Sequence, residues 1–258
     1  MIELRKFILF LVSVIIVALP VAAFAAGPSV NTDRKTLNGA RVVAPVNLAI
    51  LIQDDLVSHV SNELNITRDF IQSLPEGSQV MVGYIRSGSL QVRQPFTRDL
   101  GTAARSLRVL VSSTSASPYN PYVEVLEALR MFDSTSKNPN VVLLISDGLD
   151  VSRGFDAESV LNSIDLERAI AEAKRRDVTV FSFYAPSVGL TQRNLLAASW
   201  GQSSLNRISD ETGGKAFFQG TTDFVTFNSY FERLTRALNQ MESAEFGHES
   251  SSLRSDHW

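Results

Sequence analysis

The sequence predicts an α/β fold with a doubly wound, mostly parallel sheet, helices on both faces and one antiparallel strand at the edge. Apolar strands alternate with amphipathic helices along the chain, as in doubly wound folds. Two of these strands, Val46 to Asp55 and Val141 to Asp147, end on acidic residues. Because ligands bind beyond the carboxyl ends of strands in open α/β sheets, these ends predict a site at one sheet edge.

Composition narrows the class of protein. The chain has 258 residues, 44% hydrophobic and 20% charged, as expected for one folded domain with a sizeable core. A net charge of −3 and a pI of about 5.7 provide no basic surface, so we expect no nucleic-acid partner. The absence of cysteine excludes disulfides, thiol catalysis and cysteine zinc sites.

Residues 1–25 resemble an export signal. The segment has two bases, an apolar run, a proline and small residues before a cleavage point: Arg5, Lys6, Phe7 to Leu19, Pro20, Ala23 and Ala25. We expect cleavage after Ala25 and a periplasmic or secreted protein. The alternative is an uncleaved membrane anchor, because the apolar stretch from Phe7 to Ala26 approaches the roughly 20 residues that span a bilayer. Either outcome places the folded part outside the cytoplasm.

The folded domain is predicted to span residues 45–240, after a polar linker at 26–44. Val46 to Ile52 is nearly continuous in apolar residues, which indicates a strand buried on both faces. His59 to Leu74 repeats apolar residues at helical spacing, and Pro75 follows it. The sequence therefore begins its fold with a strand and a helix.

An edge hairpin and two helices follow. Gln79 to Arg86 and Leu90 to Phe96 flank Ser87-Gly88-Ser89, a short glycine loop typical of a hairpin. Asp99 to Leu110 and Tyr122 to Phe132 are predicted helices. The hairpin provides the antiparallel edge of the sheet.

The second half continues the alternation. The predicted strands are Val141 to Ser146, Val178 to Tyr184 and Lys215 to Phe218, and the predicted helices are Asp165 to Arg176 with Asp165 as its cap, Ser203 to Thr212, and Thr222 to Gln240. Phenylalanines and leucines of the last helix are predicted to face the core: Phe224, Phe227, Phe231, Leu234 and Leu238. Residues 241–258 are polar and serine-rich, which indicates a disordered tail.

Residues Val46 to Gln240 resemble a von Willebrand factor A domain of the exported bacterial branch. Beyond the order of elements and the edge hairpin, the resemblance rests on several segments: Ile145 to Gly148 (ISDG), Leu166 to Pro186, a Trp200-Gly201-Gln202 turn, and Glu211 to Gly220 (ETGGKAFFQG). It implies one divalent cation at the carboxyl edge of the sheet, with a carboxylate from a partner protein completing the coordination. Oxygen ligands of this kind suit Mg²⁺ or Mn²⁺.

The ligand pattern implied by the resemblance is Asp-x-Ser-x-Ser after the first strand, a Thr in a later loop and an Asp after the fourth strand. Asp147 matches the last of these, and Asn120 is nearest to the Thr. The first motif fits two registers. One begins at Gln53 and keeps none of the three ligands, whereas the other begins at Asp54 and keeps Asp54 and Ser58. The spacing to the following helix favours the first.

The carboxylates predict an electrostatic conflict. Asp54, Asp55 and Asp147 without a cation would repel one another, which raises a pKa and costs stability. A metal ion, Arg153 or Arg86 could neutralise them. The plainer alternative is that Asp54 and Asp55 cap the next helix. The candidate metal ligands are therefore Asp54, Asp55, Ser58, Asn120 and Asp147, with no cofactor certain.

The functional hypothesis is a non-enzymatic module that binds another protein at this edge, with or without metal. Tyr119, Tyr122 and Asp150 are candidate partner contacts, since tyrosines beside Pro and Asn suit protein-binding surfaces. A metal-assisted hydrolase using the same carboxylates is the alternative from another class. A third hypothesis is a structural scaffold with an inactive site, consistent with the lost ligands at Gln53, Leu56 or Val57.

Overall fold

The computed structural model describes residues 41–220 and 226–255, with side chains up to residue 241. The predicted export signal, most of the predicted linker and Phe224 lie outside the described residues. Among the described helices, none combines the length and apolar character that crossing a membrane requires.

The described strands form one sheet with the predicted architecture. The strands are β1 Asn47–Gln53, β2 Gln79–Arg86, β3 Ser89–Thr97, β4 Asn140–Ser146, β5 Val178–Tyr184 and β6 Ala216–Phe217. Their order is β3-β2-β1-β4-β5-β6. Neighbouring strands pair in parallel, except for the antiparallel pair β2 and β3 at the edge. The fold class predicted from the sequence is thus confirmed.

Helices cover both faces of this sheet. They are α1 Val60–Ser73, α2 Leu100–Arg105, α3 Tyr122–Leu129, α4 Ala157–Leu161, α5 Ile164–Arg175, α6 Leu190–Arg193, α7 Leu195–Glu211 and α8 Asn228–Ser255, with a 3₁₀ turn at Thr114–Ala116. The α1, α2 and α8 helices pack on one face. The α3, α5 and α7 helices pack on the other.

The apolar run of β1 explains why both faces are covered. Successive side chains of a strand point to opposite faces. Leu48, Ile50 and Ile52 belong to the core beneath α1 and α8, whereas Ala49 and Leu51 belong to the core beneath α3 and α5. All seven residues of the strand are buried. The continuous hydrophobicity is therefore the signature of a central parallel strand.

Several element ends differ from the sequence predictions. The α5 helix is capped by the Ser163 hydroxyl, which accepts from the Leu166 N–H, and Asp165 lies in its first turn instead. The α7 helix begins at Leu195, so Trp200-Gly201-Gln202 is helical and not a turn. A helical Gly201 lets α7 approach the end of β4, because a Cβ at this position would lie 2.0 Å from the Asp147 carbonyl oxygen.

The last helix also departs from its predicted range. The α8 helix starts at Asn228, six residues after the predicted Thr222, and continues to Ser255. Its backbone is therefore helical through most of the segment predicted to be a disordered tail. No proline interrupts the chain after residue 240, so no residue there is unable to continue the helix.

Candidate functional site

A cavity of about 160 Å³ opens at the carboxyl edge of the sheet. It lies beyond the ends of β1, β4 and β5, where the sequence predicted a site. Asp55 and Asp147 line it and are 2% and 4% exposed. Tyr119 and Leu190 line its mouth and are 62% and 40% exposed. The cavity therefore has acidic groups at its base and apolar groups at its rim.

Gln53 bridges the two strand ends at the base of this cavity. Its amide Nε2 donates to Asp55 Oδ1 at 2.7 Å. Its Oε1 accepts from the Ser146 hydroxyl and from the Asp147 N–H, the latter at 3.2 Å. The amide nitrogen thus binds a residue just after β1, and the amide oxygen binds two residues at the end of β4. The uncharged Gln53 side chain therefore links the two acidic residues through hydrogen bonds.

Asp55 is held in the cavity by the loop that follows β5. The Asp55 backbone carbonyl accepts a hydrogen bond from the Val188 N–H at 2.9 Å. The backbone N–H of Val57 donates to the Pro186 carbonyl. Burial and, to a smaller extent, the nearby Asp147 carboxylate raise the pKa of the Asp55 carboxyl from 3.8 to about 7, against hydrogen bonds from Gln53 and Ser117 that lower it. Asp55 therefore releases its proton at a much higher pH than an exposed aspartate does.

Asp147 is held by the loops that follow β4 and β5. The Leu149 N–H donates to its Oδ1 at 3.1 Å, and the Thr191 hydroxyl donates to its Oδ2 at 3.2 Å. Burial raises the pKa of the Asp147 carboxyl, while a hydrogen bond from Ser187 opposes that rise. The charge of Asp147 in turn raises the pKa of Asp55, so the ionisation of one acid affects that of the other.

Asp54 takes a different role from the predicted one. Both of its oxygens bind the Arg108 guanidinium, at 2.7 and 2.8 Å, and the Val111 N–H adds a contact at 3.1 Å. Arg86 lies farther away, at 3.8 Å. Asp54 is fully buried and is not among the residues that line the cavity. It neither caps α1, which has His59 at its N-cap, nor joins the other two acids.

The other predicted metal ligands are also engaged or remote. The Asn120 side-chain oxygen accepts from the Tyr122 N–H at 3.0 Å, and its amide donates to Asp165 at 2.9 Å. Ser58 is exposed beside the start of α1. Neither residue lines the cavity. Arg153, a predicted neutralising group, is exposed as well.

Of the predicted partner contacts, Tyr119 alone lines the cavity. The Val151 N–H donates to the Tyr119 carbonyl at 2.8 Å, which ties this loop to the one after β4. Tyr122 is instead fully buried, and its hydroxyl donates to the Gly148 carbonyl at 2.7 Å. Asp150 is 5% exposed and binds the Ser152 and Ser163 hydroxyls. Tyr122 and Asp150 are therefore buried residues whose hydrogen bonds hold the loops beside the cavity.

The residues that follow β5 also form part of the cavity and were not among the predicted site residues. Ser187, Gly189 and Leu190 line it, and Thr191 holds Asp147. They follow β5, a strand that the sequence predicted correctly. The rule that ligands bind beyond the strand ends applies to this strand too, so its loop could have been included.

The described residues do not fit the divalent cation that the resemblance implies. Mg²⁺ takes six oxygens in near-ideal octahedral geometry. In the register that the spacing to the following helix favours, Gln53 stands at the first ligand position, and its oxygen already accepts two hydrogen bonds. Within residues 41–220 and the described part of α8, no three acidic or histidine side chains are grouped to hold a metal.

Together, the strand order, the edge hairpin and the cavity at the sheet edge define a von Willebrand factor A-like fold. The structure is similar to an aerotolerance-related membrane protein from Bacteroides fragilis, with a TM-score of 0.52 and 12% identity over 76% of this chain and 99% of that chain. It is similar to BatB from Bacteroides thetaiotaomicron, with a TM-score of 0.53 and 13% identity over 78% and 100%.

A more distant likeness extends to the human COPII-coat protein Sec24c, with a TM-score of 0.50 and 10% identity over 78% of this chain and 33% of that one. No protein-family model and no curated protein matches the sequence. At these identities the likeness concerns the fold alone, and function must be argued from the site.

Proposed function

We propose that this chain is an exported, non-enzymatic interaction module that binds another protein at the carboxyl edge of its sheet without a divalent cation. The observation that carries this proposal is the cavity between Asp55 and Asp147, which opens among exposed apolar side chains. Exposed aromatic and aliphatic groups around a concave centre are typical of the buried core of protein interfaces.

The apolar surroundings extend beyond the cavity. Leu195 and Leu196, at the start of α7, are 71% and 55% exposed. They follow α6, whose first residue Leu190 lines the mouth of the cavity. Phe155 is 40% exposed and packs against Trp200, four residues along α7 from Leu196. Clustered exposed apolar groups favour a partner surface over solvent.

The metal-assisted hydrolase has no comparable support. His59, the one histidine whose side chain the structure describes, does not line the cavity. Asp55 and Asp147 line the cavity, but the other predicted ligands, Asp54, Ser58 and Asn120, do not.

Photocrosslinking tests the binding face. A photoreactive phenylalanine analogue replaces Tyr119 in cells that make the protein, and the same analogue at Val43 is the control. Val43 is 66% exposed and precedes β1, at the opposite edge of the sheet. We expect a discrete crosslinked protein from position 119 and not from position 43. Equal patterns at both positions would refute the binding face.

Export is tested separately by the mass of the purified protein. The predicted signal implies that the exported chain begins at Ala26. A chain that keeps residues 1–25 and fractionates with membranes would identify the segment as an anchor. A full-length chain in the cytoplasm would refute export.

A further inference from the structure

We propose that the cavity receives an arginine side chain of the protein partner, which takes the place that a metal ion holds in the family this chain resembles. The inference rests on the function proposed above and names the chemistry of the partner. In that family a cation in the site meets a carboxylate of the partner. Here the described residues do not complete a cation site, and Asp55 and Asp147 remain at the base of the cavity, so we assign the cation to the partner.

The charge of the cavity supports this assignment. Asp55 and Asp147 are each more than nine-tenths buried and share one cavity. Among the described residues that line it, none is lysine, arginine or histidine. Their hydrogen-bond donors are neutral amides and hydroxyls: Gln53, Ser117, Leu149, Ser187 and Thr191. Buried carboxylates are normally matched by a positive group, and no described residue lining this cavity provides one.

The size and walls of the cavity suit one side chain. Pockets for drug-sized ligands enclose about 300–1,000 Å³, whereas this cavity encloses about 160 Å³. Its walls include Leu149, Val151 and Leu190, which are apolar. Arginine buries an apolar stem and places its charge at the tip. The apolar walls would contact the stem, and the carboxylates at the base would contact the tip.

The same chain already shows this mode of recognition at Asp54, the residue that precedes Asp55. Arg108 binds both oxygens of Asp54 and lies over the Tyr84 ring at 4.0 Å from its centroid. In the cavity, Asp55 provides the next carboxylate and the exposed Tyr119 ring provides an aromatic face at the mouth. A planar guanidinium combines carboxylate binding with aromatic stacking, which an ammonium group does less well.

Short peptides test the charge requirement directly. The full-length chain, ¹⁵N-labelled, is titrated with acetyl-Leu-Arg-Leu-amide and with the same peptide carrying citrulline, a neutral isostere of arginine. The reporters are the Leu149 amide, which binds Asp147, and the Gln53 side-chain amide, which binds Asp55. We expect saturable shifts with arginine and an affinity about tenfold or more weaker with citrulline, because the charge-assisted bonds are lost.

Two variants complete the test. Asp55→Asn preserves shape and should weaken the arginine peptide by about tenfold. Glu76→Gln removes an exposed charge from the turn before β2, at the opposite edge, and should change nothing. If Asp55→Asn fails to fold, Asp147→Asn replaces it. Equal binding of both peptides, or saturable shifts of the same peaks with millimolar Mg²⁺ that displace the arginine peptide, would overturn the proposal.

The two levels of the proposal fail separately. A crosslink from position 119 that persists in Asp55→Asn would leave the binding face intact and reject arginine recognition. Arginine-specific peptide binding without any crosslink from position 119 would confirm the chemistry of the cavity and reject the proposed binding face.

Discussion

The guanidinium of Arg108 holds both carboxylate oxygens of Asp54, with Nη1–Oδ1 and Nη2–Oδ2 distances of 2.7 and 2.8 Å. The two residues are 54 positions apart in the chain. This ion pair removes one of the three strand-end acids from the crevice and leaves Asp55 and Asp147 to form it. The division of the acids into a structural pair and a cavity pair determines what the site can bind.

Loss of Arg108 should destabilise the fold. Arg108→Met leaves the fully buried Asp54 carboxylate with the Val111 N–H and the more distant Arg86, and breaking a buried ion pair costs about 3–5 kcal/mol. Because Arg86 remains, we expect about 2–4 kcal/mol from urea denaturation. Adding Asp54→Asn should recover part of this loss, since the unpaired charge is then removed. Additive effects of the two changes would contradict the ion pair.

Divalent cations should not stabilise the protein. A ligand that binds the native state raises the melting temperature by linkage. Because the described residues do not complete an octahedral site, we expect a shift below about 1 °C when millimolar Mg²⁺ or Mn²⁺ replaces chelator. Circular dichroism during heating measures this. A larger rise that Asp147→Ala abolishes would instead establish a cation site.

The two tyrosines of the α3 loop should separate stability from binding. Tyr122→Phe removes a buried hydroxyl and leaves the Gly148 carbonyl without this donor, which should cost about 1–2 kcal/mol. Tyr119→Ala removes an exposed ring, so stability should change by less than about 0.5 kcal/mol. Partner capture should respond in the opposite sense, falling with Tyr119→Ala and persisting with Tyr122→Phe. Denaturation curves measure stability, and the yield of crosslinked partner is measured with the photoreactive analogue moved to Leu190, which also lines the mouth of the cavity.

Glu124 should make stability depend on pH. It is 1% exposed, and neither carboxyl oxygen has a hydrogen-bond partner on another described residue. Burial raises its pKa from 4.5 to about 7, with a smaller contribution from Glu127. Between these values the folded state binds more protons than the unfolded state, so stability falls as pH rises through this window.

Urea denaturation between pH 4.5 and 8 tests this dependence. Glu124→Gln should flatten the fall and gain about 1–3 kcal/mol relative to the parent at pH 8. Glu127→Gln, an exposed neighbour on α3, is the matched control and should follow the parent closely. The raised pKa values of Asp55 and Asp147 act in the same direction, so a residual slope is expected. An unchanged slope in Glu124→Gln would show that this carboxyl is not responsible.

The fold was accessible from sequence because its signals are local. A strand buried on both faces is apolar at nearly every position, and the sequences of β1 and β4 show this pattern. Amphipathic spacing located α1 and α5 to within two residues. Short or irregular elements were harder, and α4 and α6 were not predicted because five or four residues carry little periodicity.

The sequence by itself determined that acidic residues end two central strands and that those ends share one edge of the sheet. Only the tertiary structure decided which acid faces the cavity. Asp54 and Asp55 lie in the turn after β1, where Asp55 lines the cavity and Asp54 instead binds Arg108 from a distant loop. Tyr119 and Tyr122 also differ in exposure. Tyr119 lies in the loop at a φ of 60°, whereas Tyr122 is the first residue of α3 and is buried. Such contacts depend on chain segments far apart in sequence, and no local pattern encodes them.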